Sequence, residues 1–318
     1  MSRKGRYTIG IDLGGTKLAA ALVRHDGHIL DFTKVPVDMK KEKSAKKTQD
    51  RVIETIAEIV MDFKERYPKQ CSLSRFQGVG LASAGPLNVE QGTLIHPANF
   101  PGWKTVPLRR LVQKSIQRRG FKTEVHFQND AIAAAYAEGW VGGARQLRSY
   151  ALVTVGTGVG SGVILNGKPC QNKGAGSEFG HCLVDIRGLQ RHPKNLKHFT
   201  VEGIASGTAL IRRAREMGFQ GSSVEELVLA RSTKYQVLYD DMAWALAGLC
   251  YNLSIGFHLD AIFFSGGLIK IRDLYFPQTK ERYKKMVREF NPLFLCPLSI
   301  AKTKNQAGFL GAAYLPYL

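Results

Sequence analysis

One arrangement of strands and glycine turns occurs twice in this chain, and it limits the fold more than any other feature. The first copy is Thr8-Ile9-Gly10-Ile11-Asp12-Leu13-Gly14-Gly15-Thr16-Lys17-Leu18-Ala19-Ala20-Ala21-Leu22, followed by Asp26-Gly27 and a further apolar run from Ile29 to Val35. An apolar strand enters a Gly-Gly turn, leaves as a second strand, and turns again at an Asx-Gly pair, the favoured two-residue hairpin. The second copy, about 145 residues later, runs from Tyr150 to Val155, through Gly156-Thr157-Gly158-Val159-Gly160, and on from Ser161 to Leu165. It then turns at Asn166-Gly167 into a third strand. Two copies predict two related α/β lobes, each opening with an antiparallel three-strand meander and offering a glycine hairpin to a shared cleft. Glycines in such turns let a ligand approach the backbone, and their N–H groups can cradle an anion. Asp12, at a strand end, is a carboxylate that could hold a metal ion against phosphate oxygens, the other reading being an ordinary hairpin with a surface Asp.

The stretches between the copies alternate helix and strand. Val52, Ile53, Ile56, Ile59, Val60, Phe63 and Tyr67 recur at three- and four-residue steps, which predicts a helix stopping before Pro68. Gly78 to Leu81 reads as a short strand. Leu108 to Arg119 reads as an amphipathic helix ended by Gly120, and Val125 to Phe127 as a strand leading through Asn129-Asp130 into an alanine-rich helix. After the second meander come Gly174 to His181, a basic loop, and a capping box at Ser222-Ser223-Val224-Glu225. A long apolar-faced helix follows, marked by Tyr235, Leu238, Met242, Leu246, Leu249, Leu253 and Phe257. Ala261 to Phe264 is a buried strand running into Ser265-Gly266-Gly267. Gln306 to Tyr314 is a small-residue helix expected to pack back on the first lobe.

Two better-known phosphate motifs fail on inspection. Gly162 to Lys168 has Walker-A spacing, but Pro169 stands where the metal-binding hydroxyl belongs, and Asn166-Gly167 makes the segment a hairpin. The glycines between 156 and 162 alternate without forming a dinucleotide fingerprint before a helix.

Charge and cysteine usage bound the partners. The chain has 318 residues with 45 Lys+Arg against 26 Asp+Glu, a formal charge of +19 that favours anionic ligands. The excess is diffuse. Its densest run, Lys40, Lys41, Lys43, Lys46 and Lys47, lacks interleaved aromatics for base stacking and reads as a solvated loop or helix start, so nucleic acid is not the expected partner. Five scattered cysteines without a CxxC pair fit a reducing cytoplasm. Asp12 and Lys17 interrupt any signal-peptide core. Asn252, Ser254, His258 and Asp260 interrupt the longest apolar region, Met242 to Phe264, which reads as a buried helix and strand, not a membrane span.

Taken in order and spacing, the motifs resemble the ROK family (repressors, uncharacterised reading frames and sugar kinases), of the ribonuclease H-like, actin-like ATPase fold. The resemblance covers nearly the whole chain. It is carried by Ile9-Gly-Ile-Asp-Leu-Gly-Gly-Thr-Lys17, Asn129-Asp130-Ala131, Thr154-Val-Gly-Thr-Gly-Val-Gly160 and Glu178-Phe-Gly-His181. Glu202 before Ala205-Ser-Gly207, Ser265-Gly-Gly267 and Gly311-Ala-Ala313 extend it. It implies a small lobe over residues 1–128, completed by a C-terminal helix at 305–318, and a large lobe over 129–304.

The resemblance also implies roles. Transfer of a phosphoryl group to an alcohol needs neutralised phosphates, an in-line nucleophile and a base for its proton. Gly14, Gly15 and Thr16 in one turn, and Gly156, Thr157 and Gly158 in the other, would donate to the β- and γ-phosphates of ATP. Gly266 and Gly267 fit the adenosine side. Asp12 would help hold Mg²⁺ through water, and Asp130 would be the catalytic base, although an Asp at that position is also an ordinary helix cap. Asn99, Asn129, Asp130, Glu178, His181 and Glu202 match the family's sugar ligands. Trp103, in the same loop as Asn99, is expected to pack and not to stack on sugar.

One departure stands out. Many members carry a zinc ion on this histidine and three cysteines just before the glutamate, whereas residues 188–202 here contain no cysteine, which excludes a zinc site of that kind. His181, His192 and His198, with Cys182, remain a possible substitute set, and His181 as a metal-free sugar ligand is the other reading.

The leading expectation is an ATP- and Mg²⁺-dependent glucokinase acting on a sugar 6-hydroxyl. The alternative is an N-acetylglucosamine or N-acetylmannosamine kinase. Two further classes are a sugar-responsive regulator and a non-catalytic sugar-binding protein. The regulators of the family carry an N-terminal helix-turn-helix domain, and only Met1 to Arg6 precede the first strand here. A cytoplasmic homodimer is the expected assembly, with closure on substrate about a hinge near residues 128–130.

Overall fold

The computed structural model describes residues 5–37, 44–97 and 99–318. Lys40, Lys41 and Lys43 of the basic run lie outside them, while Lys46 and Lys47 sit in the first turn of a helix, where Lys46 pairs with Asp50.

The first meander is β1 (Tyr7–Leu13), β2 (Lys17–Arg24) and β3 (Ile29–Pro36). Helix α1 (Ala45–Arg66) buries Val52, Ile53, Ile56, Val60 and Phe63, the face predicted from their spacing. Then come β4 (Phe76–Ser83) and three short strands, β5 (Leu87–Asn88), β6 (Thr93–Ile95) and β7 (Thr105–Val106), which form a small sheet of their own. Helix α2 (Leu108–Arg118), β8 (Val125–Asn129) and α3 (Asp130–Val141) follow. The main sheet has the order β3-β2-β1-β4-β8, with β1, β4 and β8 parallel.

The second meander is β9 (Tyr150–Val155), β10 (Val159–Leu165) and a two-residue β11 (Lys168–Pro169). Helices α4 (Ile186–Arg191), α5 (Val201–Ala205), α6 (Gly207–Glu216), α7 (Val224–Leu229) and α8 (Gln236–Phe257) lead to β12 (Ala261–Ser265), α9 (Phe276–Phe290) and β13 (Leu298–Ile300). This sheet has the order β11-β10-β9-β12-β13, with β9, β12 and β13 parallel. The repeat read from the sequence is therefore a repeat of topology. In both sheets the first strand of the meander runs antiparallel to its hairpin partner on one side and parallel to a later strand on the other.

The chain divides into two compact units, and their bounds differ from those expected. The first comprises Met1–Gln146, Gln171–Gly176 and Asn305–Leu318, and the second Leu147–Cys170 and Ser177–Lys304. The division falls after α3, not at 128/129, because the last helix, α10 (Ala307–Tyr314), packs on α3 as well as on β1 and β4. Residues 171–176 return to the first unit through Val89 N–H, which donates to Lys173 O at 3.0 Å. The capping box also shifts by one residue. Ser223 is the cap and accepts from Glu226 N–H, while the Glu226 carboxylate accepts from Ser222 N–H.

Small residues let α10 lie directly on the sheet. A Cβ on Gly80 would lie 1.7 Å from Ala312 O, a backbone atom that cannot swing away. Gly80→Ala is therefore expected to destabilise the protein at or above the upper end of the ~1–3 kcal/mol range for overpacking. A lowered melting temperature would show it, and a wild-type melt would refute the packing argument. Among the described residues no helix is long and apolar enough to cross a membrane, and all five cysteines are free.

Candidate functional site

The carboxyl ends of β1, β4 and β8 finish in one row, with Leu13 beside Ser83 and Ser83 beside Asn129. Residues at the carboxyl ends of parallel strands collect at one edge of a sheet, the usual place for ligands in α/β folds. That register brings Asp12 and Asp130, more than a hundred residues apart in sequence, into electrostatic contact. Burial, and then the negative charge of Asp130, push the Asp12 carboxyl up to about 6, against a smaller opposing effect of Lys17. Burial also raises the Asp130 carboxyl, although it accepts a hydrogen bond from Ala131 N–H at 2.8 Å.

The cap question at this helix start resolves in favour of the neighbouring residue. Asn129 is the N-cap, its Oδ1 accepting from Ala131 N–H at 2.9 Å and from Ile132 N–H at 3.2 Å. Asp130 is the first helical residue. With Oδ1 committed, the Asn129 side chain keeps its Nδ2 amide as a donor.

The first glycine turn closes with Gly14 N–H donating to Lys17 O at 3.0 Å. Thr16 is exposed at its tip, and a Cβ on Gly15 would come within 2.9 Å of Asn99 O. The turn is thus seated against the loop that carries Asn99. Trp103 of that loop is buried and stacks on Phe100 with ring centroids 4.9 Å apart, so it packs, as expected. Sequence reasoning missed Gly308. A Cβ there would lie 2.2 Å from Asp12 Oδ2, so the first turn of α10 reaches the acidic group only because residue 308 has no side chain. Nothing local in Ala307-Gly308-Phe309 marks this.

In the second unit the turn at 156–158 is held by the α5–α6 pair. Gly207 N–H donates to Gly156 O at 2.8 Å, and Thr208 Oγ1 donates to Thr157 O at 2.8 Å. Val159 N–H donates to Glu202 Oε2 at 2.9 Å. A Cβ on Gly158 would sit 2.4 Å from that same oxygen. Thr208 carries no sequence motif and was not anticipated. The turn at Gly266-Gly267 adjoins, because β12 ends beside β9 with Ser265 opposite Thr154. Gly266 has φ +98, and a Cβ there would meet Val155 O at 2.4 Å, so the turn requires glycine on both counts.

Glu178 precedes and His181 ends a single helical turn, Phe179–His181, which rides on β10. Ser161 Oγ accepts from Phe179 N–H at 3.1 Å, and Gly180 lies against Val159 O. The second unit therefore groups Gly156, Thr157, Gly158, Glu202, Gly266 and Gly267, with Glu178 and His181 on the helical turn packed against β10. The first groups Asp12, Gly14, Gly15, Thr16, Asn99, Asn129 and Asp130. Among the described residues no three His, Cys, Asp or Glu side chains form a metal-binding group. His192 is instead stacked on Phe199, with ring centroids 6.4 Å apart.

Comparison with known proteins shows the family and the fold. The model of the ROK family matches residues 8–317. A glucokinase of Streptomyces coelicolor is 29% identical over 330 residues, covering 97% of this chain and 96% of the relative. An N-acetylmannosamine kinase of Haemophilus influenzae is 27% identical over 313 residues, covering 96% and 94%. The crystal structure of a ROK family glucokinase from Streptomyces griseus, in complex with glucose and AMPPNP, superposes with a TM-score of 0.73 at 25% identity, covering 97% of this chain and 98% of that one. The fold is thus the actin-like ATPase fold of the ROK sugar kinases. With a family match that runs almost from end to end, the chain belongs to the ROK family.

Proposed function

We propose that the protein is an ATP-dependent hexose kinase that transfers the γ-phosphoryl group to a sugar 6-hydroxyl, with glucose as the first expected acceptor. The observation that carries this reading is the meeting of Asp12 and Asp130 at one sheet end, in a chain similar over its whole length to sugar kinases. Asp130 is the base that takes the hydroxyl proton as the new O–P bond forms and the bond to the leaving ADP oxygen breaks. Its raised proton affinity suits that task, and Asn129, by capping the helix, leaves Asp130 available for it.

Asp12 is the residue for Mg²⁺. Hard carboxylate oxygen is the donor that ion takes, and a carboxylate raised to about 6 beside a second carboxylate is one that a cation relieves. The ion would neutralise charge on the ATP phosphates. Backbone N–H groups of Gly15 and Thr16, and of Thr157 and Gly158, are the phosphate donors, in turns that the N–H groups of Gly14 and Gly156 close, and Gly266 and Gly267 face adenosine. Asn99, Asn129, Glu178, His181 and Glu202 pair the sugar hydroxyls, where amide, imidazole and carboxylate groups offer both donors and acceptors.

The Haemophilus relative supports an N-acetylhexosamine as the second reading of the acceptor. ADP release measured with ATP and Mg²⁺ across glucose, mannose, glucosamine and the N-acetyl derivatives of glucosamine and mannosamine tests both. Release with glucose is expected; release confined to an N-acetyl sugar favours the second reading, and no release with any sugar refutes the kinase. Thr208→Val, which loses the hydroxyl bond to Thr157 O, is expected to raise the KM for ATP about three- to tenfold, the effect of one neutral hydrogen bond. An unchanged KM for ATP would separate Thr208 from phosphate binding.

A further inference from the structure

Within the second unit, a cavity of about 860 Å³ opens between the 183–199 loop and helices α6, α8 and α9. Its volume lies in the ~300–1,000 Å³ range of small-molecule sites. None of the residues placed in the phosphate or sugar-hydroxyl sets lines it. Phe199, Trp244 and Tyr251 give it aromatic walls, and Asn195 and Asn252 place two amides there. Arg282 lies over the Trp244 ring, 4.4 Å from its centroid.

The charged groups of the lining are already engaged. Arg213 pairs with Asp241, Arg212 with Glu216 at 3.0 Å, and Asp185 accepts from Gly188 N–H at 2.7 Å as the cap of α4. His192, His198 and Tyr251 complete the titratable lining. A dianion entering here would meet three carboxylates against two guanidinium groups. One donor is left over. Arg213 Nη1 is buried and has no hydrogen-bond partner among the described residues.

We propose that this cavity is a second carbohydrate site, taking a neutral mono- or disaccharide. Aromatic faces for the apolar side of a pyranose, two amides, and paired guanidinium and carboxylate groups form the mixed donor and acceptor set that hydroxyls satisfy. The site also has a route to the phosphate turn. Arg212 and Arg213 lie on α6, whose first residues Gly207 and Thr208 hold Gly156 and Thr157, and Arg212 Nη2 donates to Gly203 O of α5 at 2.8 Å. A sugar in the cavity therefore bears on the helices that fix the ATP-side turn, a consequence that rests on the kinase reading above.

Calorimetric titration of the full chain with glucose and with maltose tests the site independently of activity. Two classes of binding are expected. The cavity class is lost in Arg213→Met and in the surface variant Asn252→Ala, and retained in Asn129→Ala. A single class of binding, or a second class that survives both cavity variants, overturns the proposal, as does binding of glucose 6-phosphate at the cavity in preference to the neutral sugars. Maltose at saturating glucose is expected to shift the KM for ATP by about fivefold in the wild type and not in Arg213→Met. Cavity binding without that shift overturns the coupling, and cavity binding in a protein that releases no ADP with any sugar refutes the kinase reading while upholding the site.

Discussion

Asp130→Asn is expected to lower turnover with glucose by about 10²–10⁴-fold, or ~3–5 kcal/mol of transition-state stabilisation, while leaving the KM for ATP within about twofold. The substitution keeps the shape of the side chain and its acceptor to Ala131 N–H, so helix α3 and the Asn129 cap remain. What disappears is the only function that an amide cannot supply, a proton-accepting oxygen. The neighbouring Asp12 sharpens the test. Removing the Asp130 charge removes one of the two influences that raise Asp12, so the Asp12 carboxyl is expected to fall from about 6 toward the ordinary Asp value. Steady-state kinetics and a carboxyl titration followed by NMR would report both effects in one variant. Turnover near wild type would take the base role away from Asp130, and an unmoved Asp12 would show that burial alone sets its pKa.

The fold was legible because its information is local and repeated. Each meander announces itself through apolar runs with glycine and Asx-Gly turns, and backbone sterics leave little else for such a string to do. Helices α1 and α8 were equally plain, since their buried positions recur at the helical period. The errors arose where tertiary packing decides. The expected lobe boundary at 128/129 follows the motif, but α3 stays with the first unit because α10 returns from the far end of the chain to pack on it. Ser222 and Ser223 are both competent caps in sequence; only the register of α7 selects the second.

The same division holds at the site. Asp12, Asp130 and the glycine turns were visible as motifs. Their grouping depends on the alignment of β1, β4 and β8, which no local signal states. Gly308 and Thr208 were invisible because each matters through one contact made across the fold, to Asp12 and to Thr157 respectively. Glu202 was expected from the sequence as a sugar ligand, but not as an acceptor for the backbone beside the glycine turn. That bond ties a residue proposed for the sugar to the backbone that follows the turn proposed for ATP, so sugar binding and turn geometry meet at one carboxylate oxygen.

Asp12→Asn should abolish most Mg²⁺-dependent turnover and, in the metal-free protein, raise stability. The two effects have one origin. In the folded protein the Asp12 carboxyl titrates at about 6, whereas an unfolded chain gives the ordinary value of 3.8. Between these values the native state holds the proton that the unfolded state has released, so stability falls as pH rises from about 4 to about 6, and the loss is complete above that. The full shift corresponds to ~3 kcal/mol, reduced by partial exposure of the side chain to about 1–2 kcal/mol. Asparagine carries no such charge. At pH 8 without metal the variant is therefore expected to melt a few degrees above the wild type, and at pH 4 the difference should vanish. Mg²⁺ should reverse the order, raising the melting temperature of the wild type at pH 8 by mass action and leaving the variant where it was. Thermal melts at the two pH values, each with and without Mg²⁺, separate the outcomes. A variant less stable than the wild type at pH 8 without metal would show that Asp12 is held by favourable contacts, and equal Mg²⁺ stabilisation of both proteins would move the metal away from Asp12.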